Sequence, residues 1–304
     1  MYDIVIIGGG PAGMTAALYA SRAGKKVMLL EENAFGGQIA TAPLVENFPS
    51  AGKIIGAQLS DKMFEQVTAH GVEFDMGHGV ITRTAEGFTV TTEYGEFSCR
   101  AVIIATGVSH KKLNVAGEQE FAGRGVCYCA VCDGAFYKGK NVTVVGDGNS
   151  AAQYALYLAE LCEEVHLLTL FDKLFCDDEL KWRIANNAKI TWTKNVAVTE
   201  IVGKDAVQGV AYRDSDGAVT YEDTDAVFVA IGQEPHNADF ATLVTLDANG
   251  YIVAGEDCKT SCEGIFVAGD CRTKNVRQCT TAVGDGAVAG FSAAMYVDKL
   301  KNEK

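Results

Sequence analysis

Asp3-Ile4-Val5-Ile6-Ile7-Gly8-Gly9-Gly10-Pro11-Ala12-Gly13 carries an apolar run straight into a Gly-x-Gly-x-x-Gly turn. Residues 4–7 read as a strand buried on both faces. The pattern then predicts a helix over 14–22, stopped by Gly24, and a second apolar strand over 27–30. Together these form a βαβ opening, with Glu31 closing its second strand. The glycines let the backbone approach a pyrophosphate, the helix N-terminus offers unpaired N–H groups, and Glu31 can accept from an adenosine ribose hydroxyl. A merely tight turn would explain the glycines but not Glu31.

The same grammar returns downstream. A strand reads over 141–145, followed by the turn Gly146-Asp147-Gly148-Asn149-Ser150-Ala151, a helix over 154–161 and a strand over 164–168. Residues 101–107 (AVIIATG) and 226–232 (AVFVAIG) echo one another, each a buried strand ending in glycine, as in two related domains. The alternating stretches 191–201 and 207–213 predict an antiparallel meander. Residues 264–270 (GIFVAGD) form another strand ending in glycine and an acid, with a helix expected over 280–300. If that strand rejoins the first domain, the second is an insertion. The fold class is therefore α/β: two Rossmann-like, three-layer domains, one inserted in the other.

Composition agrees with two compact cores: 304 residues, 48% hydrophobic, with 33 glycines. A formal charge of -13 argues against nucleic acid and anionic membrane as partners. The N-terminus lacks a basic n-region, and its apolar stretch is cut by Gly8 to Pro11, unlike a signal peptide or spanning helix, so the expected location is cytoplasmic.

Cys129-Ala130-Val131-Cys132-Asp133 carries the chemistry. Two thiols three positions apart can close a small disulfide, and surroundings can make one a reactive thiolate. Half a zinc site is the alternative, but no second CxxC or HxxxH follows, so no metal is expected. Asp133 suits either a proton-transfer role or a helix N-cap. Of ten cysteines only Cys127, Cys129 and Cys132 cluster, and Cys127 reads as a packed thiol.

Taken together, Gly8 to Gly13, Gly36-Gly37-Gln38, Glu46-Asn47-Phe48-Pro49, Ala105-Thr106-Gly107, CAVCDG at 129–134, Gly269-Asp270 and Arg277-Gln278 resemble the low-molecular-weight thioredoxin reductases, in the family's order and over essentially the whole chain. The resemblance implies a homodimeric flavoprotein that reduces a thioredoxin disulfide. It implies a discontinuous FAD domain, 1–112 and 242–304, and an inserted pyridine-nucleotide-type domain, 113–241, bearing the dithiol. FAD would contact Gly8, Gly10, Ala12, Gly13, Glu31, Gly37, Gln38, Asn47, Thr106, Gly107, Asp270, Arg277 and Gln278. Cys132 would lie beside the flavin ring, Cys129 would attack the substrate disulfide, and Asp133 would move the proton.

One region departs from that pattern. Nucleotide-using members carry an HRRxxxR-type cluster that grips the 2'-phosphate of NADPH, whereas Thr169, Leu170, Phe171 and Phe175 stand at those positions here. Hydrogen bonds to charged groups are worth roughly 1.5–3 kcal/mol each, so three lost arginines would cost several orders of magnitude in affinity. Only Lys173 remains nearby. Asp147 replaces a glycine beside the expected pyrophosphate and Gln153 replaces an acid.

The chain in this respect resembles the family members that take electrons from ferredoxin. A ferredoxin near about -400 mV can reduce a dithiol near about -270 mV with roughly 6 kcal/mol to spare for two electrons. An acidic donor needs a basic patch, for which Lys25-Lys26, Lys111-Lys112, Lys138 with Lys140, and Arg272 with Lys274 are candidates. The competing readings are an NADH- or NADPH-dependent thioredoxin reductase and a non-catalytic flavin- or disulfide-binding protein. A fourth, a flavin reductase serving a peroxidase, is expected to carry an extra N-terminal dithiol domain, and here the first strand begins at Met1.

Overall fold

A computed structural model of the protein describes residues 1–42 and 44–302. The chain divides into two compact units, Met1–Ser109 with Glu234–Lys304, and His110–Gln233.

The discontinuous unit is built on a seven-stranded sheet. Tyr2–Ile7 lies at its centre, parallel to Val27–Glu31 on one side and to Glu96–Ile104 on the other. Ile6 is in register with both Leu29 and Ile103. Strands of this kind are covered on both faces, which is why they read as unbroken apolar runs rather than alternating ones. Ile265–Val267 pairs in parallel with Glu96–Ile104, so the strand from the C-terminal part of the chain rejoins the first sheet.

The helices Pro11–Arg22 and Cys279–Asn302 pack on one face. Their contact is made of small residues, Ala16, Ala17 and Ala20 with Ala289 and Ala293, all fully buried. Gly286 and Gly290 allow this approach, since a Cβ there would stand 2.3 Å from the Ala12 carbonyl oxygen and 2.5 Å from that of Ala16. The first helix starts at Pro11, earlier than the expected 14, because proline at the first helical position surrenders only an N–H that has no partner anyway.

The inserted unit has a five-stranded parallel sheet in the order Ile190–Thr193, Glu164–Leu168, Asn141–Val145, Ala226–Val229, Val126–Cys127. Helices Asn149–Leu161 and Asp178–Ala185 pack with it. A separate antiparallel meander comprises Val196–Gly203, Val207–Asp214 and Val219–Asp223.

The expected meander strand over 191–201 is therefore two strands. Its first part extends the parallel sheet, where Trp192 Nε1 donates to Thr169 Oγ1 at 3.0 Å. Asn195, in the left-handed region at φ 56°, then turns the chain into the meander. An edge strand alternates like an antiparallel one, so periodicity does not separate them. No helix among the described residues is long and apolar enough to cross a membrane.

Candidate active site

In the discontinuous unit, the first glycine turn sits at the C-terminal end of Tyr2–Ile7. Gly8 adopts φ 110°, and a Cβ there would meet the Ala105 carbonyl oxygen at 2.3 Å. Gly13 lies so close under Gly8 that any side chain would collide with its carbonyl. Ala12 is buried in the first turn of the helix.

Glu31 is held by this turn, its Oε2 accepting from Gly9 N at 2.7 Å and its Oε1 from Asn33 N at 2.9 Å. Each oxygen keeps a second lone pair. Gly37, at φ 54°, faces Gly10, with a Cβ 3.3 Å from the Gly10 Cα, so two bare backbones line the same opening. Gln38 Nε2 donates to the Val108 carbonyl at 2.7 Å, Asn47 Nδ2 donates to Gln278 Oε1 at 3.1 Å, and Thr106 Oγ1 donates to Asn237 Oδ1 at 3.3 Å. Gly107 follows in the left-handed region.

Asp270 ends the strand-and-glycine motif at 265–269. Burial pushes its carboxyl up to about 6, against the pull of Lys274 and Arg277, and its Oδ1 is buried without a hydrogen-bond partner. Arg277 Nε donates to the Asp270 carbonyl oxygen at 3.2 Å, and its guanidinium lies 4.2 Å from the Tyr251 ring centroid.

In the inserted unit, Cys129 and Cys132 are joined in a disulfide with Cα atoms 5.3 Å apart. Cys132 is exposed and Cys129 half-buried. The short helix Ala130–Asp133 holds them, capped by Cys129, whose Sγ accepts from Cys132 N at 3.2 Å. The expected N-cap role of Asp133 is thus filled by Cys129, and Asp133 ends that helix with no capping bond from its side chain. Burial raises the Asp133 carboxyl to about 6, with a hydrogen bond to Cys127 working the other way.

The profile of the family "Pyridine nucleotide-disulphide oxidoreductase" matches residues 2–286. A thioredoxin reductase from Listeria monocytogenes is 42% identical over 99% of this chain and 95% of its own length. The crystal structure of thioredoxin reductase from Streptococcus pyogenes superposes with a TM-score of 0.94 at 39% identity, covering 98% of this chain and 99% of that one. A ferredoxin-flavin thioredoxin reductase from Clostridium acetobutylicum is less similar, at 31% identity and a TM-score of 0.55 over 99% of both chains. The chain belongs to the thioredoxin reductases of this family.

Thioredoxin reductases of this type bind FAD, and the discontinuous unit has the chemistry such a group requires. It offers a glycine-walled approach to backbone N–H groups, a fixed Glu31 carboxylate, and in Asp270 Oδ1 a buried acceptor that the protein itself leaves unmatched. A ribityl hydroxyl is a donor of the kind that acceptor lacks.

The second glycine turn of this reductase borders a cleft of about 580 Å³ lined by Gly146, Asp147, Ser150, Leu170, Val198 and Lys112, among others. No arginine lines it. The segment after Glu164–Leu168 folds back on the turn: Asp147 Oδ1 accepts from Phe171 N at 3.1 Å, the Asp147 carbonyl accepts from Phe175 N at 2.7 Å, and Asn149 Oδ1 accepts from Asp177 N at 3.0 Å. Leu170, Phe171 and Phe175 are exposed, the two rings packed edge to face.

Of the basic patches expected from sequence, three are altered by ion pairing. Lys25 pairs with Asp298, Lys26 with Glu73 and Lys140 with Asp225. Arg272 and Lys274 are buried, both bonded at 2.8 Å to Asp285, so they form no surface patch. Among the described residues Lys111, Lys112 and Lys138 make no ion pair.

Sequence reasoning also missed Asn237 and Asp285. Asn237, fully buried, ties Thr106 to the carbonyls of Gly250 and Cys271. Asp285 accepts from Gly269 N and from Arg272, fixing the loop that presents Asp270. A charged residue inside the small apolar run 282–290 (AVGDGAVAG) was the available signal for Asp285.

Proposed function

We propose that this chain is an FAD-dependent thioredoxin-disulfide reductase whose electrons come from reduced ferredoxin rather than NADPH. The observation that carries the donor assignment is the folded-back segment at the second glycine turn. The Asp147 carboxylate occupies that turn and is bonded to Phe171, and no arginine lines the adjoining cleft. A phosphate arriving there meets like charge and no fork-shaped cation. Lys111 and Lys112 remain as a basic pair, Lys112 at the edge of the same cleft, which suits an acidic protein donor.

In this reading Met1–Ser109 with Glu234–Lys304 is the FAD-binding domain, His110–Gln233 carries the dithiol, and the protein works as a cytoplasmic homodimer. Gly8, Gly10, Ala12 and Gly13 would admit the pyrophosphate to the helix N-terminus, Glu31 would take the adenosine ribose, and Gly37, Gln38, Asn47, Thr106, Gly107, Asp270, Arg277 and Gln278 would hold the flavin half. When bound, FAD supplies the means to collect single electrons and release them as a pair.

The residues of the chain perform the exchange. In the reduced pair the Cys129 thiolate attacks one sulfur of the thioredoxin disulfide, forming a mixed disulfide and expelling the other sulfur as a thiolate. Asp133, its carboxyl raised by burial to about 6, carries a proton in a minor fraction of molecules near neutral pH and can donate it to that leaving sulfur. The Cys132 thiolate then attacks Cys129 Sγ, re-forming the intramolecular disulfide and releasing reduced thioredoxin. Two electrons leave the pair and two enter the substrate. A closed redox pair beside a poised carboxyl argues against a purely binding role.

The test is to count thioredoxin thiols after anaerobic incubation of the holoenzyme with reduced ferredoxin, NADPH or NADH. Ferredoxin alone should support turnover; equal turnover with NADPH would refute the donor assignment.

A further inference from the structure

Asn237 is fully buried in the discontinuous unit, and both polar atoms of its side chain are bonded. Its Nδ2 donates to the Gly250 carbonyl at 2.9 Å and to the Cys271 carbonyl at 2.8 Å, while its Oδ1 accepts from Thr106 Oγ1 at 3.3 Å. Its own carbonyl accepts from Phe240 N at 3.0 Å, which holds the backbone as well. Each loop reached by this amide borders a residue assigned to the flavin half. Thr106 lies beside the first glycine turn, its backbone N 3.0 Å from where a Cβ on Gly8 would stand. Cys271 follows Asp270, whose Oδ1 is buried and unmatched. Gly250 precedes Tyr251, whose ring lies 4.2 Å from the Arg277 guanidinium.

We propose that Asn237 is a positioning residue for the cofactor, setting the direction of the Thr106 hydroxyl hydrogen and so the polarity that Thr106 offers to the bound group. This rests on Thr106 being a cofactor contact. Backbone carbonyls only accept, so the Gly250 and Cys271 oxygens fix the amide with its hydrogens toward them and its oxygen toward Thr106. The amide oxygen also only accepts. The single hydrogen of the Thr106 hydroxyl is therefore committed to Asn237, and a ligand meets lone pairs. Thr106 then has the same polarity as the unmatched Asp270 Oδ1, and both favour N–H and O–H groups. A freely turning hydroxyl would serve donors and acceptors alike and would lose rotational freedom on binding. Fixing it beforehand removes that loss.

The test titrates FAD into the full-length apoprotein, followed by flavin fluorescence, for the parent, Thr106→Val, Asn237→Leu and the double variant. Each single change should weaken FAD by about 10-fold. The double variant should lose about 10- to 20-fold rather than the roughly 100-fold of independent sites, because the two residues act through one hydrogen bond. A merely structural role would lower the melting temperature of the Asn237→Leu apoprotein and leave the two losses multiplicative, so multiplicative losses would overturn the proposal. Unchanged FAD affinity in Asn237→Leu would overturn it too. Should that variant not fold, Asn237→Ser, which leaves space for water to reach both carbonyls, takes its place in the same cycle under the same criteria. If Thr106→Val alone binds FAD as tightly as the parent, Thr106 is no cofactor contact, and the underlying assignment fails together with this inference.

Discussion

The Asp147 carboxylate accepts the Phe171 backbone N–H at 3.1 Å, binding the second glycine turn to the segment that follows the next strand. On the proposed reading both positions depart from the pattern of nucleotide-using members, an acid for a glycine and a phenylalanine for an arginine, and each change would remove phosphate affinity. The hydrogen bond itself is made by the backbone N–H of residue 171, so it depends on the acid at 147 and not on the side chain at 171.

Reversing both ends should restore nucleotide use. A variant carrying Asp147→Gly, Leu170→Arg and Phe171→Arg should gain about 100-fold or more in NADPH-driven reduction of its flavin, since two charge-assisted bonds are added and a repulsion is lost. Steady-state titration with NADPH measures it. An unchanged response would mean that the lost cations are not what bars the nucleotide.

Asp270 should show opposite effects in the apoprotein and holoprotein. Its carboxyl, raised by burial to about 6, makes the native state bind protons more tightly than the unfolded chain, so its contribution to stability falls as pH rises from about 4 to 6. Asp270→Asn should stabilise the apoprotein at neutral pH by about 1–2 kcal/mol and weaken FAD by about 10-fold or more. Melting curves with and without FAD distinguish the two; loss of stability in both states would contradict the assignment.

Much of this fold is legible in the sequence because its central strands are covered on both faces, so runs such as 4–7 and 101–104 carry no polar interruption. The glycine turns are legible for a steric reason: at Gly8 and Gly13 no other residue fits. Burial of charge is less visible. Arg272 and Lys274 look like a surface pair, and only the packing of Cys279–Asn302 brings Asp285 to meet them. The contact of the Cys127 thiol with the Tyr137 hydroxyl is hidden similarly, because it depends on a reversal of the chain that no periodicity encodes.

The buried cluster at Asp285 should govern acid stability. Burial alone would raise this carboxyl, but Arg272 and Lys274 outweigh it and hold it below the usual range. A depressed carboxyl stabilises above its unfolded value and loses that contribution as pH falls through its folded value. Asp285→Asn should therefore cost about 3 kcal/mol or more at neutral pH, by removing the carboxylate that Lys274 and Arg272 share and leaving Arg272 only the exposed Glu256 at 3.8 Å, and the deficit should shrink below about pH 4. Urea unfolding across that range measures it; a deficit that grows on acidification would contradict the pairing.

Gly286 sets the spacing of the two helices on the first sheet. Gly286→Ala places a methyl group 2.3 Å from the Ala12 carbonyl, so one helix must move. A loss of about 1–3 kcal/mol is expected, with weaker FAD retention because the displaced helix begins at the first glycine turn. Thermal melting and flavin content after gel filtration report the two effects.

The proposed mechanism divides the redox pair by role. Cys129→Ser should abolish turnover with thioredoxin while leaving the Cys132 thiol free to perturb the flavin spectrum; undiminished turnover would reverse the assignment of the two sulfurs.

The identity of the electron donor is tested most directly by following the visible flavin absorbance of the holoenzyme, without oxygen, after rapid mixing with stoichiometric reduced ferredoxin, NADPH or NADH. Ferredoxin should bleach the flavin and open the Cys129–Cys132 disulfide within the turnover time, while NADPH leaves the spectrum unchanged. Rapid bleaching by NADPH would show that a turn carrying Asp147, beside a cleft without arginine, still accepts the phosphorylated nucleotide.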